Sequence, residues 1–246
     1  MNRETTNKIR YVLEELLPPA LRDSALMRVI FRTYWGPLID DLEDFRERGH
    51  RYTDEEYVQL YSALPRIQSE TDNSRLCLER ICEDMISGSV LDVGCGTGYL
   101  IDYLHQNTRD VVCTYKGFDI QVDEALGQQL SFAEFFEGKV EELPFPDDSF
   151  DVVISTHLLE HILDIRKAIS ELRRVCRKRL IIVVPREREY SFTFNPHVHF
   201  FPYKHSFLRH IIPVPENMVC EDIARDFYYR EDIDQANPSP SQDWIV

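Results

Sequence analysis

Val90-Leu91-Asp92-Val93-Gly94-Cys95-Gly96-Thr97-Gly98-Tyr99 has the order of a strand, a glycine turn and the start of a helix. Its first four residues suit a buried strand, and residues 99–104 form an apolar stretch compatible with a helix. Glycines let the backbone approach a ligand closely, and a helix N-terminus offers free N–H groups. Asp119 ends the next apolar run, where a carboxylate can accept both hydroxyls of a ribose. The stretch therefore predicts a site for a nucleoside cofactor.

The glycine spacing distinguishes between two classes of cofactor. A dinucleotide-binding fold needs G-x-G-x-x-G/A, because the last small residue lets the helix pack on the strand. Here Tyr99 occupies that sixth position, and the pattern is G-x-G-x-G behind the acidic strand end Asp92. This pattern resembles motif I of the class I S-adenosylmethionine (SAM)-dependent methyltransferases. A nicotinamide oxidoreductase is the least favoured enzyme class, and a tight strand–helix turn without a ligand is the remaining alternative.

Two downstream segments resemble a large subfamily of these methyltransferases. Residues 141–155 resemble its LPFPD-x-SFD signature and the strand after it, and residues 157–161 resemble its h-x-x-LEH segment. Residues 179–185 match its fifth strand, and the similarity extends over about residues 72 to 232. The resemblance implies an α/β, Rossmann-like fold: a seven-stranded, mostly parallel sheet with helices on both faces. SAM would lie over the carboxyl ends of the first strands.

The resemblance also implies a set of cofactor-binding residues around the first, second and fourth strands. They are Asp92, Gly94, Cys95, Gly96, Gly98, Asp119, Ile120, Val140, Glu141 and Ser155. One position departs from the family, which often has Asp before a small residue where this chain has Lys139-Val140. That Asp usually accepts a hydrogen bond from the adenine amino group, which Lys cannot do. We therefore expect backbone groups near Val140 to hold the adenine.

The chain divides into three parts. Residues 1–70 are predicted to be a helical extension or lid, with helices over about 9–17, 23–34, 38–48 and 53–65. Its aromatic residues either pack on the core or line a substrate lid. Residues 71–234 form the predicted methyltransferase domain. Its first helix is expected to be capped by Asp72 or Asn73 and to end at Gly88. Residues 218–224 and 227–232 are expected to close the sheet as an antiparallel pair. Residues 235–246 are predicted to be a flexible tail.

Histidines are concentrated in the second half of the chain, with six of the eight between positions 157 and 210. His157, Glu160 and His161 follow the fourth strand, at the edge where the methyl group is expected, and would share one face of a helix. His197 and His199 lie in the connection after the fifth strand, which should fold over the same edge.

We take His157, Glu160 and His161 as candidate catalytic residues and, together with His197 and His199, as candidate ligands of a divalent transition metal. Imidazole nitrogens suit Zn, Fe, Co, Ni or Mn better than Mg, which prefers oxygen. The segment is similar to the E-x-x-E-H of small-RNA 3′-end 2′-O-methyltransferases and ubiquinone-pathway O-methyltransferases, but has His157 at the first position. A single catalytic histidine without metal, or purely structural histidines, are the alternatives. His205 and His210 are predicted to lie on the next helix as surface or packing residues.

A hydroxyl nucleophile needs a base or a metal, because its unperturbed pKa is far above 7. The histidines therefore favour O-methylation of a hydroxyl on a small-molecule or glycan-type acceptor. N- or C-methylation without metal, and a non-catalytic SAM-binding or scaffold protein, remain open.

Composition constrains the partners. The net charge of −15 repels a phosphate backbone, so nucleic acid is disfavoured, and the basic residues between Arg166 and Arg188 are interpreted as a solvated helix face and turn. No apolar run approaches ~20 residues, so no membrane span is expected. The N-terminus has no apolar signal core, and six scattered cysteines suit a reducing compartment, which predicts a cytoplasmic protein. A homodimer is one option for its oligomeric state.

Overall fold

In the computed structural model, which describes residues 8–63, 71–108, 110–191 and 196–233, one sheet has the strand order β3-β2-β1-β4-β5-β7-β6. The strands are β1 (Gly88–Val93), β2 (Cys113–Asp119), β3 (Ala133–Glu137), β4 (Phe150–Thr156), β5 (Cys176–Pro185), β6 (Met218–Ile223) and β7 (Asp226–Asp232). The first five pair in parallel, whereas β7 is antiparallel to both β5 and β6. The predicted seven-stranded, mostly parallel sheet and its closing antiparallel pair are confirmed. The strand order reverses between β1 and β4, which is where open α/β sheets bind ligands.

Helices lie on both faces of the sheet, and a further group of helices precedes the sheet in the chain. They span Pro19–Arg22, Ala25–Trp35, Leu38–Arg48, Asp54–Ala63, Arg75–Asp84, Tyr99–Asn107, Leu126–Gln129, Ile165–Val175 and Lys204–Leu208. A π-helical turn spans Val12–Leu16, and 3-10 turns span Gly49–Arg51, Val140–Glu142 and Leu159–His161. Throughout the described parts of the chain, no helix has both the length and the apolar character required to cross a lipid bilayer.

Side-chain alternation along the strands gives the sheet two apolar faces. On one face, Leu91 and Val153 are fully buried against the Ile165–Val175 helix. On the other, Val90 and Ile154 pack with helices that precede and follow β1. Because successive strand residues point to opposite faces, a near-continuous apolar strand is what a sheet covered on both sides requires.

The glycine turn after β1 has a backbone that only glycine adopts readily. Gly94, Gly96 and Gly98 have φ angles of 84°, 49° and 73°. A Cβ at Gly98 would lie 2.7 Å from Leu130 Cδ1, so this position also lacks room for a side chain. The turn delivers the chain directly into the Tyr99–Asn107 helix and leaves its N-terminal N–H groups at the carboxyl edge of the sheet.

The N-terminal helices follow the predicted order. The Leu38–Arg48 helix has the predicted bounds, and the next helix starts with the predicted capping box. In that box, Thr53 N–H donates to Glu56 Oε2 at 2.8 Å and Glu56 N–H donates to Thr53 Oγ1 at 3.2 Å. This helix ends at Ala63, and the predicted continuation to residue 65 and the tail 235–246 lie outside the described residues.

The helix before β1 corrects two predictions. Its N-cap is Ser74, whose Oγ accepts from Cys77 N–H at 3.1 Å, and not Asp72 or Asn73. The Asn73 side chain instead donates to Thr156 Oγ1 on β4 at 2.9 Å. The helix ends at Asp84, and Gly88 begins the strand rather than ending the helix.

Candidate functional site

A cavity of about 170 Å³ lies between the carboxyl edge of the sheet and the N-terminal helices. The segment of residues 38–63 supplies one wall of this cavity through Phe45, Tyr52 and Tyr57. Their rings contact one another, with the Phe45 centroid 5.4 Å from that of Tyr52 and 5.9 Å from that of Tyr57. These N-terminal aromatic residues therefore face the predicted cofactor site and form a continuous surface there.

One end of the cavity is formed by the residues predicted to bind the cofactor. Gly94, Asp119, Ile120, Val140 and Glu141 line it, as does Lys139 at the position that departs from the family pattern. Gly96 N–H donates to Asp119 Oδ2 at 2.8 Å, and Gly94 N–H donates to the Phe118 carbonyl at 2.8 Å. The glycine turn is thus folded around the end of β2, which places Asp119 beside it.

The other predicted cofactor residues lie behind this surface. Asp92 and Ser155 are each 1% exposed, and Cys95 is buried within the turn. Gly96 and Gly98 shape the turn through their backbone angles. These five residues support the cavity wall without lining it.

Asp92 makes the stability of the protein depend on pH. Burial, reinforced by the nearby Asp119, raises its pKa to about 8. Because the folded-state pKa lies above the unfolded value, the stabilisation from the protonated carboxyl is complete below pH ~4 and is lost as the pH rises toward 8. We expect the melting temperature of the ligand-free protein to fall between pH 5 and 8, and to fall less in the Asp92→Asn variant.

Thermal unfolding at several pH values checks this prediction. The matched control is Asp102→Asn, since Asp102 is partly exposed on the next helix and accepts from Gln106 Nε2 at 2.8 Å. Asp102→Asn should retain the wild-type pH dependence. An Asp92→Asn variant with the same pH dependence as wild type would contradict the assignment.

The donor cluster consists of Glu160, His161 and His197, of which His161 lines the cavity. Each offers one ligand atom, and these atoms lie within 4.8 Å of one another. The rings of His161 and His197 meet edge to face, with centroids 4.7 Å apart. Glu160 and His197 are buried, being 1% and 4% exposed. The structure thus brings together three of the five residues predicted as metal ligands.

Backbone hydrogen bonds join the two histidine segments. The Glu160 carbonyl accepts from the N–H groups of Val198 at 2.8 Å and His199 at 3.0 Å. Glu160 and His161 belong to a 3-10 turn after β4, and His157 has a left-handed φ of 52°. The expectation that residues 157–161 share one helical face is therefore wrong, because the chain turns sharply as it leaves the strand.

His157 and His199 lie beside the donor cluster without belonging to it. His157 lines the cavity, with Nδ1 3.6 Å from Glu160 Oε1 and Nε2 3.9 Å from Asp226 Oδ1. His199 Nε2 lies 2.8 Å from the Ile162 carbonyl, and its ring contacts that of His210 at a centroid distance of 5.3 Å.

His205 lies on the Lys204–Leu208 helix, where its ring stacks on Tyr203 at a centroid distance of 5.2 Å. His210 follows that helix rather than lying on it. Both act as surface or packing residues, as predicted.

The donor cluster combines neutral and charged groups. Burial, reinforced by His197, lowers the pKa of His161 to about 4. Burial alone would raise the pKa of Glu160, but His157 and His161 outweigh it and hold that pKa below its ordinary value. Neutral imidazole and ionised carboxylate are the protonation states in which these side chains bind a metal or accept a proton.

Two residues that contact this cluster were missed in the sequence. Tyr57 Oη lies 2.7 Å from His161 Nδ1, and Glu187 Oε2 lies 2.6 Å from His197 Nδ1. Burial alone would raise the pKa of Glu187, but Arg10 and His197 outweigh it and lower that pKa to about 2. Glu187 could have been found, because it lies two residues after β5 and therefore near the carboxyl edge of the sheet. No motif in the sequence marks Tyr57.

Comparison with known proteins relates the central part of the chain to methyltransferases. Residues 91–184 match the family described as methyltransferase domain. Ajmaline N-methyltransferase of Rauvolfia serpentina is 35% identical over 105 residues, which cover 39% of this chain and 35% of that protein. A probable chloroplastic tocopherol O-methyltransferase of Oryza sativa subsp. japonica is 37% identical over 105 residues, covering 39% of this chain and 28% of that protein.

A solved structure shares the fold. The crystal structure of a SAM-dependent methyltransferase from Aquifex aeolicus has a TM-score of 0.50 and 17% identity, covering 73% of this chain and 99% of that chain. The chain spans about a third of the length of the curated relatives described above. Residues 91–184 thus resemble a methyltransferase domain, and the two relatives include an N- and an O-methyltransferase.

Proposed function

We propose that the chain transfers the methyl group of SAM to a hydroxyl group of a small molecule. The observation that carries this proposal is that Gly94 and Asp119 line the same cavity as His161, the member of the donor cluster that reaches it. In-line methyl transfer requires the acceptor oxygen and the SAM methyl carbon to be held in contact. A cavity with a nucleoside end and a proton-accepting end meets that requirement.

The cofactor end supports SAM in particular. Asp119 would accept the ribose hydroxyls, and backbone groups around Val140 would hold the adenine in place of the family's Asp. Asp92, Cys95, Gly96, Gly98 and Ser155 would keep the turn in shape from behind, whereas Gly94, Ile120 and Glu141 would touch the cofactor.

The donor cluster supports oxygen as the nucleophile. Two imidazoles and a carboxylate form a ligand set that suits a divalent transition metal. Glu160 Oε2 is buried without a hydrogen-bond partner among the described residues, as expected for an atom that binds an ion or a substrate proton. A metal, when bound, would lower the pKa of the acceptor hydroxyl. Without it, neutral His161 would act as the base, and His157 would orient Glu160.

The cavity wall favours a small apolar acceptor over a glycan or nucleic acid. Phe45, Tyr52 and Tyr57 present rings, and Leu158 and Ile162 add aliphatic surface near the donor cluster. The basic residues of the Arg166–Arg188 region include several that pair with acids, such as Arg173 with Glu231 at 2.6 Å and Arg174 with Glu171 at 2.7 Å. Such pairs leave little net positive charge for a phosphate backbone.

We also propose that residues 1–70 act as a lid on the methyltransferase domain, residues 71–234, because residues of the segment 38–63, called the lid segment below, line the cavity. We also propose that the protein is cytoplasmic. The six cysteines are free, which suits a reducing compartment.

The first test is binding, followed by elemental analysis. S-adenosylhomocysteine should raise the melting temperature by several degrees, whereas NAD should leave it unchanged. In the presence of S-adenosylhomocysteine we expect about one equivalent of transition metal, lost on treatment with chelator and in the His161→Ala/His197→Ala double variant. Negligible metal after supplementation would favour a histidine base or N- or C-methylation. Binding without turnover on a panel of phenols, alcohols and amines would indicate a non-catalytic SAM-binding protein.

A further inference from the structure

We infer that Tyr57 and Glu187 are positioning residues that hold His161 and His197 in the tautomer protonated at Nδ1. In each ring the lone pair would then lie on Nε2. The use of these lone pairs rests on the proposed function. The tautomers themselves are a property of the protein without metal, cofactor or acceptor, so they are testable independently.

The His197 tautomer follows from a buried carboxylate. Glu187 Oε2 lies 2.6 Å from His197 Nδ1, and the two residues are 3% and 4% exposed. Arg10 Nη2 lies 3.6 Å from the same carboxylate oxygen and keeps Glu187 charged. An ionised carboxylate only accepts hydrogen bonds, so the hydrogen in this contact must belong to Nδ1. This is the arrangement by which carboxylates orient metal-binding histidines.

The position of Glu187 is itself secured by an ion-pair network. Arg10 Nε donates to Glu14 Oε1 at 3.1 Å, and Arg225 Nη2 donates to Glu14 Oε2 at 2.6 Å. Glu14 is buried in the N-terminal π-helical turn, and Arg225 lies between β6 and β7. Glu14 in the π-helical turn and Arg10 just before it therefore connect the sheet to the carboxylate that orients His197.

The His161 tautomer follows from a main-chain carbonyl. Tyr57 Oη lies 2.7 Å from His161 Nδ1, and the Pro196 carbonyl oxygen lies 3.5 Å from Tyr57 Oη and 3.4 Å from His161 Nδ1. The Pro196 carbonyl only accepts, and the Tyr57 O–H is in position to donate to it. With the phenol hydrogen used in this way, the phenol oxygen would accept from His161 Nδ1–H, and Nε2 would be unprotonated.

Both positioning residues lie outside residues 91–184, which match the methyltransferase domain family. Tyr57 belongs to the lid segment, and the lid also supports His197 through Arg46, whose Nη1 donates to the His197 carbonyl at 3.0 Å. The N-terminal helices thus complete the donor cluster as well as covering the cavity.

Nitrogen NMR of the full-length chain tests this inference. Long-range ¹⁵N–¹H correlations separate protonated from unprotonated ring nitrogens, and His161→Asn and His197→Asn variants assign the signals. We expect Nδ1–H on both rings in the wild type. Glu187→Gln should convert His197 into a mixture of tautomers, because a carboxamide both donates and accepts. Tyr57→Phe should do the same for His161, because the Pro196 carbonyl, 3.4 Å from Nδ1, is too distant to hold the hydrogen there by itself.

Matched controls exclude general disturbance of the site. Glu189→Gln changes an exposed carboxylate that pairs with Arg46, and Tyr52→Phe removes a hydroxyl that donates to Asp44 Oδ2 at 2.8 Å. Both should leave the two tautomers unchanged. In metal titrations with Co²⁺, Glu187→Gln should weaken binding about 10- to 100-fold, as loss of a hydrogen-bond partner to a metal ligand commonly does.

The outcomes separate this inference from the proposed function. Nε2–H on either wild-type ring would overturn the inference, and that spectrum suffices even if a variant does not fold. Unchanged tautomers in folded Glu187→Gln and Tyr57→Phe would also overturn it. If Nδ1–H is found but the protein neither binds metal nor transfers methyl groups, the inference stands and the proposed function fails. If the protein binds Co²⁺ tightly and transfers methyl groups but the rings carry Nε2–H, the proposed function stands and the inference fails.

Discussion

Replacing Glu160 by Gln is expected to lower the rate of methyl transfer to a hydroxyl acceptor at least tenfold, while SAM binding survives. Gln has nearly the same shape, and the hydrogen bonds that join the two histidine segments use the Glu160 backbone carbonyl, which the substitution leaves in place. The negative charge is lost, however, and with it the ability to ligate a metal or stabilise a protonated histidine. A tenfold loss corresponds to about 1.4 kcal/mol of transition-state stabilisation.

The measurement is release of S-adenosylhomocysteine at saturating SAM with a panel of phenols and alcohols, combined with the Kd for S-adenosylhomocysteine. Glu134→Gln is the matched control, because Glu134 is exposed on β3 and pairs with Lys116 at 2.8 Å, away from the donor cluster. The control should retain wild-type turnover. Normal turnover in Glu160→Gln would remove this carboxylate from the mechanism.

The sheet and the position of Asp119 beside the glycine turn were predictable because their signals are local. A buried strand, three glycines with left-handed φ angles and a helix start occupy ten consecutive residues, and each has its own steric requirement. Asp119 ends the strand beside β1, so strand pairing alone places it next to the glycine turn. Alternating strands and helices then predict the parallel order.

The donor cluster was only partly predictable because its geometry depends on contacts between distant residues. His157 and His161 were expected on one helical face, but the left-handed backbone at His157 and the 3-10 turn separate their roles. His199 lies only two residues after His197, so the sequence does not distinguish the two as ligands. Only the fold shows that the His199 ring turns toward the Ile162 carbonyl. The contact of Tyr57 with His161 spans 104 positions and has no sequence pattern.

Replacing Asp119 by Ala is expected to weaken binding of S-adenosylhomocysteine about 100-fold. Asp119 lines the cofactor end of the cavity, and its Oδ2 accepts the Gly96 N–H at 2.8 Å. We propose that the same carboxylate accepts the ribose hydroxyls. Hydrogen bonds to a charged group contribute about 1.5 to 3 kcal/mol each, so losing two gives a penalty of about 3 kcal/mol or more. That penalty corresponds to about 100-fold in Kd.

Isothermal titration of S-adenosylhomocysteine into wild type and variant measures this loss directly. Asp123→Ala removes the same charge four residues away, from an exposed side chain that accepts the Ala125 N–H at 2.8 Å, and should change Kd less than threefold. Because both variants alter the net charge equally, a difference between them reports the local contacts of Asp119 rather than a long-range effect of charge on the ligand. Equal affinities for the two variants would show that the Asp119 carboxylate does not hold the ribose.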